Sequence, residues 1–275
     1  MIINKFKNKS FLERIISGII LVIIALITFI KGGMLLLTVI TTVSIIGLYE
    51  MNKVFRIEKS LIGLLGYIFT ICFYVLIWNN ITNYLFALIV FYMMALMVMY
   101  VFMFPNLKTE SVMAAVFGVV YVVAMLSFIY LVRAGDNGLY NVWLVFICSW
   151  GCDTCAYFAG VAFGKHKMAP VLSPKKSVEG AVGGVIGAMV IGFIYASVFS
   201  DKLVTAIDPR IIYPIICAVG SLVSMVGDLA ASAIKRNHDI KDYGKLIPGH
   251  GGIMDRFDSV IFVAPLIWML LQFMQ

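Results

Sequence analysis

LFALIVFYMMALMVMYVFMF, residues Leu85–Phe104, runs for twenty residues without a charge. A helix rises 1.5 Å per residue, so about 20 apolar residues cross the roughly 30 Å of hydrocarbon in a bilayer. Reading outward from this stretch predicts spans at 15–30, 33–49, 61–78, 85–104, 113–132, 141–163, 178–199, 210–231 and 259–274. Composition agrees. The 275 residues are 62% hydrophobic and 13% charged, and mean hydropathy is +1.02. Soluble domains average about 45–50% apolar and about 25% charged. A soluble enzyme, a disordered chain and a secreted disulfide scaffold are thereby excluded. The expected fold is an all-α polytopic integral membrane protein with about nine transmembrane helices. Only Lys31-Gly32-Gly33 separates the first two spans, so they can also form a hairpin that does not cross fully. The first apolar run is long for a signal peptide and lacks a small-residue cleavage site, so it is read as a retained span.

Charge sets the orientation. With the N-terminus inside, 17 of the 21 lysines and arginines fall on the inner side. Such a bias predicts a cytoplasmic N-terminus and an external C-terminus. The net charge of +7 has the same plain reading, helix orientation and contact with anionic membrane lipids, which best accounts for the basic clusters Lys5–Arg14 and Lys53–Lys59. No basic helix or aromatic platform stands outside the membrane, so nucleic acid is not an expected partner. All five cysteines lie in apolar segments, and no disulfide framework is expected.

The two halves differ. Residues 1–135 read as plain transmembrane helices with short loops. Residues 136–275 read as a catalytic transmembrane region with cytoplasmic loops at 164–178 and 232–258. Asp153 lies well inside a span, where a lone carboxylate costs at least about 2.5–3.5 kcal/mol. It must face a partner or a wet cavity; a structural bond to a neighbouring hydroxyl is the plainer alternative. Tyr157 follows one turn on, and Gly160 and Gly164 permit close approach. Ser173, Lys175, Lys176 and Ser177 then precede an apolar helix, whose free N–H groups and positive dipole end suit phosphate. Ser177 also reads as an N-cap with Glu179 in the first turn. The run Gly180, Gly183, Gly184, Gly187 reads as helix packing rather than as a nucleotide loop.

The densest polar segment is Gly227–Ser259. Asp228, Ser232 and Lys235 share one helix face, and Asp255 and Asp258 share another. One helix ending inside and the next starting inside would bring these acids together. Their hard oxygens suit Mg²⁺, which keeps waters and binds substrate phosphates. The turn Pro248-Gly-His-Gly-Gly252 would let backbone N–H groups approach an anion. Lys235, Arg236, Lys241 and Arg256 surround it with positive charge.

Ser232 to Asp258 resembles the signature of phosphatidate cytidylyltransferases, the CDP-diacylglycerol synthases. The match runs through Ser232-x-Ile-Lys235-Arg236, Lys241-Asp242-x-Gly244 and Ile247-Pro248-x-His250-Gly-Gly-Ile-x-Asp255-Arg256-Phe-Asp258. Asp153-x-x-Ala156-Tyr157-x-x-Gly160 and Ser173-Pro-Lys-Lys176 are also similar to that family, with Ser177 where Thr is commoner. The resemblance implies transfer of CMP from CTP to phosphatidic acid, giving CDP-diacylglycerol and pyrophosphate in phospholipid biosynthesis. It implies Mg²⁺ held by Asp228 and Asp255, with Asp153, Asp258 and Ser232 as further catalytic or supporting residues. Lys175, Lys176, Ser177, Lys235, Arg236, Lys241, His250 and Arg256 would bind substrate. A second cation, with K⁺ as candidate, and a homodimer are also implied. The expected location is the inner or plasma membrane, with the active site facing the cytoplasm. One rival, beside a CTP enzyme acting on another lipid and a CDP-alcohol phosphotransferase, is a cation-coupled transporter using Asp153. It fits less well, because transporters usually show paired broken helices in two repeats.

Overall fold

A computed structural model describes residues 9–203, 205, 207–247, 249 and 251–273, with side chains from Gly18 onward. Helices dominate. In chain order they are α1 (Lys9–Lys31), α2 (Gly33–Val54), α3 (Leu61–Trp78), α4 (Leu85–Phe102), α5 (Thr109–Ala134), α6 (Gly138–Phe163), α7 (Val178–Phe199), α8 (Pro209–Asn237) and α9 (Met254–Gln272). Seven of the described helical stretches, from α2 through α8, are long and apolar enough to cross a membrane. The protein is thus a multi-pass membrane protein. The α1 and α2 helices are distinct rods, broken where Gly32 (φ 62°) and Gly33 (φ 55°) take a left-handed backbone. Glycine adopts that conformation without a Cβ penalty.

The loop predicted at 164–178 contains a small antiparallel hairpin, β1 (Lys167–Ala169) with β2 (Ser173–Ser177). Lys167 faces Ser177 and Ala169 faces Ser173, with an irregularity between them. Pro174, which has no N–H to donate, falls between the paired positions. Periodicity in an otherwise helical chain gave no sign of strands only three and five residues long.

The chain forms two compact units. The first comprises residues 1–127 and 242–256, the second 128–241 and 257–275. The division runs through α5 and α9. In the first unit, α4 buries only Tyr92 and Leu96 and turns Phe86, Phe91, Met94, Val98 and Val101 outward, as lipid contact requires. Three hydroxyls inside this unit find internal partners. Ser44 and Tyr74 share a 2.7 Å hydrogen bond, and Tyr92 donates to the Ala115 carbonyl at 3.3 Å.

In the second unit, α7 packs against the C-terminal half of α6 and against α8. Its glycines form the contact. A Cβ on Gly184 would meet the Cys152 carbonyl at 3.0 Å, and one on Gly192 would meet the Cys217 sulfur at 2.6 Å. The glycine run is therefore a packing seam, as the sequence indicates. Tyr213 donates to Asn141 at 2.6 Å, tying α8 to α6. A π-helical stretch, Ile147–Gly151, interrupts α6 immediately before Asp153. Such bulges are frequent at functional sites.

Candidate active site

Three helices and the hairpin of the second unit enclose a cleft of about 490 Å³. Asp153, Tyr157 and Gly160 come from α6, Lys175, Lys176 and Ser177 from β2, and Met225 and Asp228 from α8. Charged and apolar side chains thus line the same cleft. Lys176 forms an ion pair with Asp228 Oδ2, each side chain about one-quarter exposed. Ser232, one turn on, donates to Asp228 Oδ1 at 3.5 Å. Asp258 lies in the electrostatic range of Asp228, Lys235 and Asp153. Its Oδ1 accepts the Ser259 N–H at 2.8 Å.

Local chemistry fixes the hairpin on the cleft. Ser177 caps α7, its Oγ accepting from Gly180 N at 3.1 Å. Such caps contribute about 1 kcal/mol. The same Oγ abuts α6, where a Cβ on Gly160 would sit 3.1 Å away. Glu179, in the first turn of α7, accepts from Lys165 N at 3.0 Å and meets His166 Nδ1 at 2.5 Å. The base of the hairpin is thereby strapped to the helix it feeds. Lys175 is exposed at the rim.

The second unit therefore brings together Asp153, Lys175, Lys176, Ser177, Asp228, Ser232, Lys235 and Asp258. Arg236 lies exposed at the end of α8, and Lys241 is exposed just beyond it. His250 lies outside the described residues.

Asp255 belongs to the first unit, where it is 8% exposed. Its Oδ2 accepts the N–H groups of Tyr243 at 2.8 Å and Gly252 at 3.0 Å. Ile247 N bonds the Gly251 carbonyl at 2.9 Å and closes the turn. Gly251 has φ 87°, and a Cβ there would meet Asp255 Oδ2 at 2.8 Å. The N–H of Gly252, in the glycine-rich turn, and those of Ile253 and Met254 just after it meet two carboxylates of this chain. Arg256, half-buried, follows in the first turn of α9.

The second of these carboxylates is Glu50, which the sequence reading passed over. It is 4% exposed and accepts from Ile253 N and Met254 N. Its signal was an acid adjoining the apolar run of 33–49, which read as an ordinary span end.

Among the described residues, no three His, Cys, Asp or Glu gather closely enough to cage an ion. Mg²⁺ does not need such a cage. It binds through one or two carboxylates and fills its shell with water and substrate phosphates. Asp228, beside lysines and near two further acids, is a donor set of that kind, with the Lys176 ammonium as the cation now resting on it.

The family model for cytidylyltransferases matches residues 12–274. The chain belongs to this family. Membership makes it a CTP-dependent nucleotidyltransferase. A Bacillus subtilis protein named phosphatidate cytidylyltransferase is 30% identical over 94% of this chain and 97% of its own length. A Thermotoga maritima protein of the same name is 37% identical over 62% of this chain; that match spans 63% of the relative's length. A Haemophilus influenzae protein, also so named, is 45% identical over 47% of this chain and 44% of its own. The cytidylyltransferase membership accords with a cleft that sets lysines beside carboxylates in an apolar bundle.

Proposed function

We propose that the chain transfers CMP from CTP to phosphatidate, giving CDP-diacylglycerol and pyrophosphate. The observation that carries this reading is the alignment of nearly the whole chain with the B. subtilis phosphatidate cytidylyltransferase. The cleft supplies chemistry that suits it. A phosphate monoester with a second pKa near about 6 is a dianion at neutral pH. It is already a nucleophile, so no serine, cysteine or histidine need serve as one. An oxygen of the lipid phosphate attacks the α-phosphorus of CTP, a new P–O bond forms, and the bond to the β-phosphate breaks. Both electrons leave with pyrophosphate.

Catalysis then consists of positioning and charge neutralisation. Lys175 and Lys176 on the hairpin, with Lys235, Arg236, Lys241, His250 and Arg256, are the proposed phosphate contacts. Ser177 orients the hairpin while its backbone neighbours offer N–H groups to phosphate. Asp228 and Asp255 are the proposed holders of Mg²⁺, with Asp153, Asp258 and Ser232 supporting. When bound, the ion neutralises triphosphate charge and steadies the departing pyrophosphate. K⁺ is the proposed second cation. The proposed setting is the plasma membrane, as a homodimer, with the N-terminus and the active site at the cytoplasmic face. The 17 to 4 division of basic residues supports that orientation. The lipid tails would stay in the bilayer beside the cleft.

The reading is tested by pyrophosphate release in mixed micelles with CTP and Mg²⁺. Phosphatidate should support release, diacylglycerol should not, and EDTA should stop it. Equal release with either lipid, or with none, would contradict the reading. Within the same assay, Lys176→Ala should raise KM for CTP or phosphatidate about tenfold or more, the scale of one charge-assisted hydrogen bond. Unchanged KM values for both substrates would make the hairpin lysine structural.

A further inference from the structure

Glu50 sits one turn before the end of α2, buried, and the transfer chemistry above makes no use of it. A buried carboxylate is strongly unfavourable unless its oxygens are satisfied. Both are. Oε1 accepts Ile253 N at 3.1 Å and Oε2 accepts Met254 N at 2.9 Å. These N–H groups open α9, and the first N–H groups of a helix have no partner inside it. An acid about two hundred residues away in sequence therefore does what a local side chain does at Ser60 or Ser177. It also places negative charge at the positive end of the helix dipole.

The fit is close. A Cβ on Gly244 or Gly252 would run into the Glu50 carboxylate. On the other side of the same segment, Asp255 holds Tyr243 N and Gly252 N. Segment 243–254 is thus gripped by two carboxylates, one local and one from α2. That segment leads directly into Asp255 and Arg256.

We propose that Glu50 is a positioning residue for the transfer reaction, fixing segment 243–254 and with it Asp255 and Arg256 at the start of α9. The inference rests on the cytidylyl-transfer reading for its kinetic arm alone.

The test compares wild type, Glu50→Gln and Glu50→Ala as purified full chains in mixed micelles. Backbone hydrogen exchange and transfer kinetics are measured on each. Glu50→Ala should speed exchange in 243–254 and leave the other helices unchanged. Its kcat per folded molecule should fall about a hundredfold, the scale of an ångström-level misplacement, with KM for CTP within about threefold. Glu50→Gln keeps one acceptor oxygen and should fall between the two on both measures. Unchanged exchange in 243–254, or faster exchange with kcat unchanged, would overturn the proposal. Should Glu50→Ala not fold, Glu50→Gln decides alone. Wild-type kcat and exchange in that variant would overturn the proposal, and partial loss of both would support it. An inactive wild type would instead sink the choice of substrate, while the exchange data would still decide the clamp.

Discussion

Asp228→Ala should lower kcat by about a thousandfold or more, the scale seen when one preorganised transition-state contact is removed, and leave the protein folded. Asp228 stands where the cleft's charge converges. Lys176 pairs with one oxygen, Ser232 reaches the other, and Asp258 is within electrostatic range. Its loss would remove the oxygen donor proposed for Mg²⁺ and leave Lys176 without its counter-charge. Stability should change little, because both partners are about one-quarter exposed and the lysine can turn to water. Asp228→Asn separates charge from shape. It preserves the acceptor for Ser232 and loses the anion, so it should be nearly as inactive as the alanine variant. Near-normal turnover in both would remove Asp228 from the metal and phosphate chemistry.

Asp255→Ala should also abolish measurable turnover, by a different physical route. Asp255 Oδ2 satisfies two backbone N–H groups, those of Tyr243 and Gly252. Leaving a buried donor without a partner costs about 1–3 kcal/mol. Two such losses in one segment should loosen 243–254 as well as remove a proposed metal ligand. Hydrogen exchange should therefore rise in that segment for Asp255→Ala and stay at the wild-type level for Asp228→Ala. Full activity in Asp255→Ala, or exchange unchanged in it, would contradict the dual role. The pair of variants thus distinguishes a carboxylate that serves chemistry alone from one that also builds its own loop.

Much of this was legible in the residues. Runs such as Leu85–Phe104 fix the helical membrane fold, because no other regular structure satisfies a lone chain segment in hydrocarbon. The glycines of α7 read correctly as a packing seam, although the premise that they follow no strand was wrong, since β2 leads directly into α7. Asp153, Lys176 and Asp228 were expected at one site, and they line one cleft. The hairpin at 167–177 was missed because strands of three and five residues carry no readable period. Glu50 was missed for a deeper reason. Its partners are backbone N–H groups of Ile253 and Met254, and backbone donors leave no trace in a side-chain pattern. Of the turn of glycines at 249–252, the N–H of Gly252 meets the carboxylate of Asp255, a partner that the side-chain pattern did not indicate.

The central claim is cytidylyl transfer to a lipid phosphate, and one measurement addresses it directly. Purified full-length protein in mixed micelles would receive phosphatidate, Mg²⁺ and CTP labelled at the α-phosphate, alongside Asp228→Ala and an EDTA control. The account predicts label in the lipid phase as CDP-diacylglycerol, dependent on metal and lost in the variant. Folded protein that leaves the label in water, with phosphatidate and Mg²⁺ both present, would contradict it.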